Sequence, residues 1–240
     1  MNTLSQHTIS IQGHELTYTL ERKMVKNINL RIRRDLSIYV SAHPGVPFFQ
    51  IEAFLQKQGA FILKSLEEYK HRAAVPFLTL RDGDSLFLAG KPYVLTVRPG
   101  LHNAIYCRKD TVYMEVSDTS WQQRRSLYHA LLRQKGTVLF EDSAERIFPQ
   151  LSAYGIVMPK LRQRIMRSRW GSCMPAKAIV TMNTYLAIMP EGIIDHVMLH
   201  ELCHLIHPNH SRHFYNVMTM VMPDWKARRT AMMQYVPFCV

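Results

Sequence analysis

Five residues in the last quarter of the chain, His200-Glu201-Leu202-Cys203-His204, combine residue types and a spacing suited to metal-assisted hydrolysis. On an α-helix, positions i and i+4 lie about 40° apart around the axis, so His200 and His204 project side by side. Two neutral imidazoles so placed can hold one zinc ion, and Glu201 on the adjoining position can reach a water beside it. Zinc lowers the pKa of that water toward neutrality, and Glu201 takes its proton as it attacks a polarised carbonyl. Such a site needs a third protein ligand and an open fourth position. His210 follows a helix end marked by Pro208-Asn209, where the chain can turn back toward the ion. His196 and His207 flank the pair and are the alternative ligands; otherwise they are surface or supporting residues. Cys203 falls to the other side of His200 and is expected to pack rather than ligate.

The elements that must position these groups follow from periodicity. Pro190-Glu191 opens a helix expected over about 191–207, with Val197, Leu202 and Leu205 turned toward a core. A second helix is expected from Ser211, with Phe214, Val217, Met218 and Val221 buried, and a short one near Pro223-Asp224. Upstream, 161–166 and 178–183 have strand character around an irregular stretch, 167–177. Ser117–Ser120 can cap a long helix reaching about Phe148. Strand alternation marks Leu16-Tyr18-Leu20, Ile28-Leu30-Ile32 and Leu36-Ile38-Val40, with Arg22, Lys23, Lys26, Arg31, Arg33 and Arg34 between them on an outward face. One helix is expected over 48–69. Short strands then surround the turns Asp82-Gly83 and Ala89-Gly90, and 104–107 pairs with 111–116 through Lys109-Asp110. No internal repeat and no flexible linker stand out. The expected fold is α+β, with a β-rich N-terminal region holding one helix over 1–117 and a metallopeptidase-type region over 118–240, the alternative being one continuous domain.

Composition narrows the function classes. The chain has 240 residues, 47% hydrophobic and 20% charged, with 10 Gly and 12 Pro, which excludes fibrous and low-complexity classes. No apolar run approaches the roughly 18 residues of a membrane span, and residues 1–13 carry no signal-peptide pattern, so a cytoplasmic, membrane-free protein is expected. Cys107, Cys173, Cys203 and Cys239 form no CxxC pair, which fits reduced thiols and excludes a cysteine zinc knuckle. Thirty Lys+Arg against 18 Asp+Glu give a formal charge of +12. A polyanionic partner is one reading of that balance. The densest run, Lys160, Arg162, Arg164, Arg167 and Arg169, alternates at its start. Lys160, Arg162 and Arg164 therefore share one strand face, either plainly solvated or tracking nucleic-acid phosphates toward the zinc cleft.

Arg169-Trp170-Gly171-Ser172-Cys173, Ile179, Asn183, Pro190, the His200–His204 motif, Pro208-Asn209-His210, Phe214 and Pro223-Asp224-Trp225-Lys226 together resemble the YgjP-like metallopeptidases. These are related to the SprT-like and WLM-type proteases, which act on proteins attached to DNA. The likeness is strongest over 160–235 and extends more weakly to 14–100. It implies a zincin-like arrangement with a sheet edge beside the active helix, along which an extended peptide could lie. It also places Arg169, Trp170, Ser172 and Asn183 in or behind the cleft. From the residues themselves, Gly171 permits a tight turn, Trp170 offers a packing face, and Asn183 can hold a loop through its amide. Ser172-Cys173 as a nucleophile lacks a GxSxG elbow.

The expected activity is therefore zinc-dependent peptide hydrolysis with one zinc per chain, a protein or peptide substrate, and DNA as a further partner through the basic surface. A non-peptide amide hydrolase uses the same metal and base. A nucleic-acid-binding module with structural zinc has no use for Glu201 as a base, and closed structural sites take four protein ligands.

Overall fold

Alternating apolar and polar residues build two four-stranded sheets in the first half of the chain, and a smaller three-stranded sheet lies in the last third. The architecture, a computed structural model, describes residues 3–33, 36–73 and 78–240. Arg34, named above among the basic strand residues, lies outside them.

The chain divides into two compact units, Met1–Pro76 and Phe77–Val240. The first holds β1 (Thr3–Ile11), β2 (His14–Arg22), β3 (Asn29–Ile32) and β4 (Ile38–Ala42), in the order β1-β2-β4-β3, followed by α1 (Phe48–Lys57) and α2 (Gly59–Ala73). Its core joins Ile11, Tyr18, Leu20 and Val40 of the sheet to Ile51, Leu55 and Ile62 of the helices. The single helix expected over 48–69 is two, broken at Gln58 beside Gly59, a poor helix former.

The second unit opens with β5 (Ser85–Leu88), β6 (Lys91–Pro99), β7 (Ala104–Arg108) and β8 (Thr111–Val116), then α3 (Trp121–Ile147). The division expected at 117/118 is corrected here. Leu86, Leu88, Leu95, Val112, Met114 and Val116 share one buried core with Tyr128 and Leu132 of α3 and with Met198 and Leu202 further on. Apolar surface buried in common ties this sheet to the C-terminal region rather than to residues 1–76.

A repeat also emerges that the sequence does not advertise. The order β5-β6-β8-β7 reproduces β1-β2-β4-β3, and in each sheet the first and last pairs are antiparallel and the central pair parallel. Both first hairpins turn through two residues with positive φ, Gln12-Gly13 (48°, 81°) and Ala89-Gly90 (49°, 78°). Such a turn matches the strand twist and favours glycine.

The remaining elements are β9 (Lys160–Arg164), β10 (Gly171–Met174), β11 (Ile179–Asn183), α4 (Glu191–Ile206), α5 (Arg212–Val221) and α6 (Trp225–Ala231). In the order β10-β11-β9, β11 is buried throughout, pairing antiparallel with β10 and parallel with β9. β10 falls within the stretch expected to be irregular. Its Gly-Ser-Cys-Met has no alternation, and its pairing with β11 is a tertiary event.

Helix α4 is buried on nearly every side, and two braces fix it. From α3, Arg146 meets Asp195 in a two-pronged ion pair (Nη2–Oδ1 2.9 Å, Nε–Oδ2 3.2 Å), and Ser143 Oγ donates to Asp195 Oδ1 at 2.6 Å. From the β5–β6 turn, the backbone N–H groups of Ala89 and Gly90 donate to the carbonyls of Ala187 and Ile188, just ahead of α4. No helix among the described residues is long and apolar enough to cross a membrane.

Candidate active site

His200, Glu201 and His204 lie in the last two turns of α4, which ends at Ile206 with His207 as its C-cap. The chain then turns through Pro208-Asn209, and Ser211 caps α5 by accepting from the Phe214 N–H. That reversal returns His210 to the α4 histidines. One nitrogen from each of His200, His204 and His210 lies within 4.8 Å of the others. The Nε2 atoms of His200 and His210 are 3.0 Å apart. Two nitrogens on one tetrahedral zinc, each about 2.1 Å from it, stand about 3.4 Å apart, so the donor set fits such an ion with little adjustment. His204 Nδ1 lies 3.4 Å from the His207 carbonyl, which turns the ring so that its Nε2 is available. Phe214, wholly buried, packs on all three rings at 4.9–5.0 Å between centroids.

The electrostatics favour the same use. Burial, reinforced by the His204 and His210 charges, pushes the His200 pKa down to about 3, and burial also lowers that of His204. Both imidazoles therefore stay neutral, the form that binds metal. Glu201 is 4% exposed, and its Oε2 is buried with no hydrogen-bond partner. Burial raises its pKa to about 7, opposed by the Arg169 charge. An orphaned carboxylate oxygen beside three converging imidazoles is costly unless something else engages it.

Of the other expected residues, Asn183 is the best defined. Its side chain, 2% exposed, makes four hydrogen bonds. Oδ1 accepts from the N–H groups of Met166 (3.3 Å) and Tyr185 (3.2 Å), and Nδ2 donates to the carbonyls of Met166 (2.9 Å) and Arg169 (2.7 Å). Together with the Asn183 N–H donating to the Trp170 carbonyl at 2.8 Å, these bonds shape the loop that delivers β10. Arg169, Trp170 and Ser172 all line the cleft, which has a volume of about 740 Å³.

Gly171 has a role that a tight turn does not describe. A methyl group on it would stand 2.6 Å from Glu201 Cγ and 2.7 Å from Cδ, and closer still to Oε1. The strand is glycine there because the Glu201 carboxylate occupies the space of a side chain.

Lys160, Arg162 and Arg164 are exposed on alternate positions of β9, with Leu161 and Gln163 turned inward. β9 is the edge of the sheet opposite β10, and none of the three lines the cleft, so the stripe does not lead into it. His207 stays outside the histidine trio and packs against His213 at 5.8 Å. His196 is not on the helix surface but buried, stacked on Trp225 (6.2 Å, 5°). Cys203 is buried with its pKa pushed to about 12 by burial, and all four cysteines are free thiols. Tyr215, Arg229, Met232 and Met233, which the sequence did not single out, also line the cleft, together with Trp225, named above only among the motifs of the resemblance.

Among curated protein sequences, none matches this chain. Among solved structures, the metallopeptidase zymogen abylysin of Pyrococcus abyssi is similar, at 20% identity and a TM-score of 0.37 over 41% of this chain and 96% of that one. A family model described as YgjP-like, metallopeptidase domain, matches residues 26–235, and the chain therefore belongs to the YgjP-like metallopeptidases, hydrolases that work with a metal.

Proposed function

We propose that this metallopeptidase is a zinc-dependent, zincin-like peptidase of the cytoplasm, in which His200, His204 and His210 hold one ion and Glu201 is the general base. One observation carries it: three imidazoles converge in a cleft that Glu201 also lines, and the Glu201 carboxylate has a buried oxygen with no other partner. When bound, zinc supplies a Lewis acid that polarises the carbonyl under attack and acidifies water. The Glu201 carboxylate accepts the proton of the attacking water as its oxygen bonds to the carbonyl carbon. The same carboxyl then delivers that proton to the leaving nitrogen as the C–N bond breaks. β10, paired on one side only and lining the cleft, offers free backbone groups to an extended chain. The free thiols support a reducing compartment.

Purified protein is expected to contain about one zinc per chain, measured by atomic absorption. His200→Ala and His204→Ala should each lose most of it, since removing one of three protein ligands leaves too few for tight binding. His210→Ala should behave likewise, whereas His207→Ala should keep its metal. Full retention in both α4 variants would falsify the site.

The exposed stripe on β9 supports a second partner, nucleic acid, and hence proteins associated with it as substrates. Binding of single- or double-stranded oligonucleotides, followed by fluorescence anisotropy, should be insensitive to sequence and fall steeply with salt. Replacing Lys160, Arg162 and Arg164 together by Gln should flatten the salt slope by about three and leave zinc content unchanged. Absence of binding at physiological ionic strength removes nucleic acid and leaves the peptidase untouched.

A further inference from the structure

The wall of the cleft away from β10 is built unlike the rest. Trp225 and Arg229 are one helical turn apart on α6, so their side chains share a face. Trp225, buried, stacks on His196 (6.2 Å, 5°) and on Tyr215 (5.4 Å, 15°), and this aromatic stack lines the cleft together with Val197, Met232 and Met233. Arg229 is exposed and lines the same cleft, and its charge reaches His196. Its neighbour Arg228 is already committed, donating from Nε to Asp224 Oδ2 (2.9 Å) and from Nη1 to the Gly192 carbonyl (3.0 Å). Arg229 has no hydrogen bond or ion pair with any described residue. Histidines aside, the charged residues lining the cleft are Arg169, Glu201 and Arg229, so its balance is positive even before an ion binds.

Resting on the peptidase reading above, we propose that Arg229 is the specificity-determining residue of the cleft and binds a substrate carboxylate, while an apolar side chain next to it packs against the Tyr215, Met232 and Met233 lining. The chemistry of the wall selects this pair. A guanidinium with all its donors open matches a carboxylate in two-pronged geometry, and a wall of Tyr215 and flexible methionines accepts varied apolar side chains. Basic segments are rejected by the same charge. The carboxylate can be that of an Asp or Glu side chain or a free chain terminus.

The test uses internally quenched peptides of one core sequence, with Asp, Asn or Lys at each position flanking an apolar residue, made with free and with amidated C-termini. Wild-type protein should favour the carboxylate over the Lys peptide by about tenfold or more in kcat/KM. Arg229→Glu should reverse that ranking, and Arg229→Lys should keep its direction while weakening it. Zinc content and melting temperature verify that the variants are folded. Loss of the preference on amidation assigns the terminal carboxylate; persistence assigns the side chain. The same ranking is measured by anisotropy with labelled peptides on zinc-loaded Glu201→Gln protein. If the wild type cleaves none of the peptides while the binding ranking holds, the peptidase reading fails and the specificity stands. Cleavage or binding that ignores the carboxylate, or a ranking unchanged in Arg229→Glu, overturns the role of Arg229.

Discussion

Glu201→Gln is expected to keep its zinc, fold as the wild type does, and lose about 10²- to 10⁴-fold in kcat on any peptide the wild type cleaves. The substitution preserves shape and volume but removes the ability to accept a proton. Its structural cost is small because Glu201 Oε2 bonds to no protein group, so no hydrogen-bond network is broken when it becomes an amide. Nor is the residue one of the three converging ligands, so metal content should not follow activity. Three measurements on one preparation separate the cases: zinc stoichiometry, melting temperature and single-turnover hydrolysis. Loss of zinc together with activity would make Glu201 a ligand. Undiminished turnover with zinc in place would remove the general base and return the site to a structural role.

The groups on which that result depends were legible in the sequence for a specific reason. His200, Glu201 and His204 are brought together by helix geometry alone, and His210, four residues past the helix, by the Pro-Asn turn before it. Local rules decide both. The helix starts were legible in the same way, since Ser120 and Ser211 both cap through their hydroxyls. Asn183 was readable as a loop holder because an amide offers donors and acceptors to backbone, though its four partners were not.

What escaped depends on contacts between distant parts of the chain. β10 has no alternating pattern and exists because β11 pairs with it. The division falls after residue 76 rather than after 117 because β5–β8 shares apolar surface with α3 and α4, and strand composition carries no record of that partner. The repeated four-stranded sheet is hidden because its copies share turn geometry and pairing rather than residues; Gln12-Gly13 and Ala89-Gly90 are nearly the whole of the visible likeness. The wall of Trp225, Tyr215 and Arg229 comes from two helices after the motif, whose spacing from it says nothing about depth or direction.

Gly171→Ala should nearly silence the enzyme without touching a metal ligand. The added methyl would stand 2.6 Å from Glu201 Cγ and 2.7 Å from Cδ, where carbon atoms normally keep about 3.5–4.0 Å. About 1 Å of movement is therefore forced on one side or the other. Glycine 171 is in β10, held to β11 by the ladder that pairs it with Met182, and its loop is bound through Asn183. The Glu201 side chain, with Oε2 bonded to nothing, is the softer partner and is expected to give way. A displacement of that size at the proton-accepting atom costs on the order of 10²-fold in rate. Zinc content should remain near one per chain, and the loss should appear in kcat rather than in KM, because the interaction removed is needed at bond making and not in binding. Gly171→Ser, larger at the same atom, should be no better. Were β10 instead to move, the Asn183-held loop would shift with it and the melting temperature would fall, with KM rising as the cleft edge deforms. An alanine variant with wild-type kcat and KM would show that the close packing of strand against carboxylate does not set the position of the base.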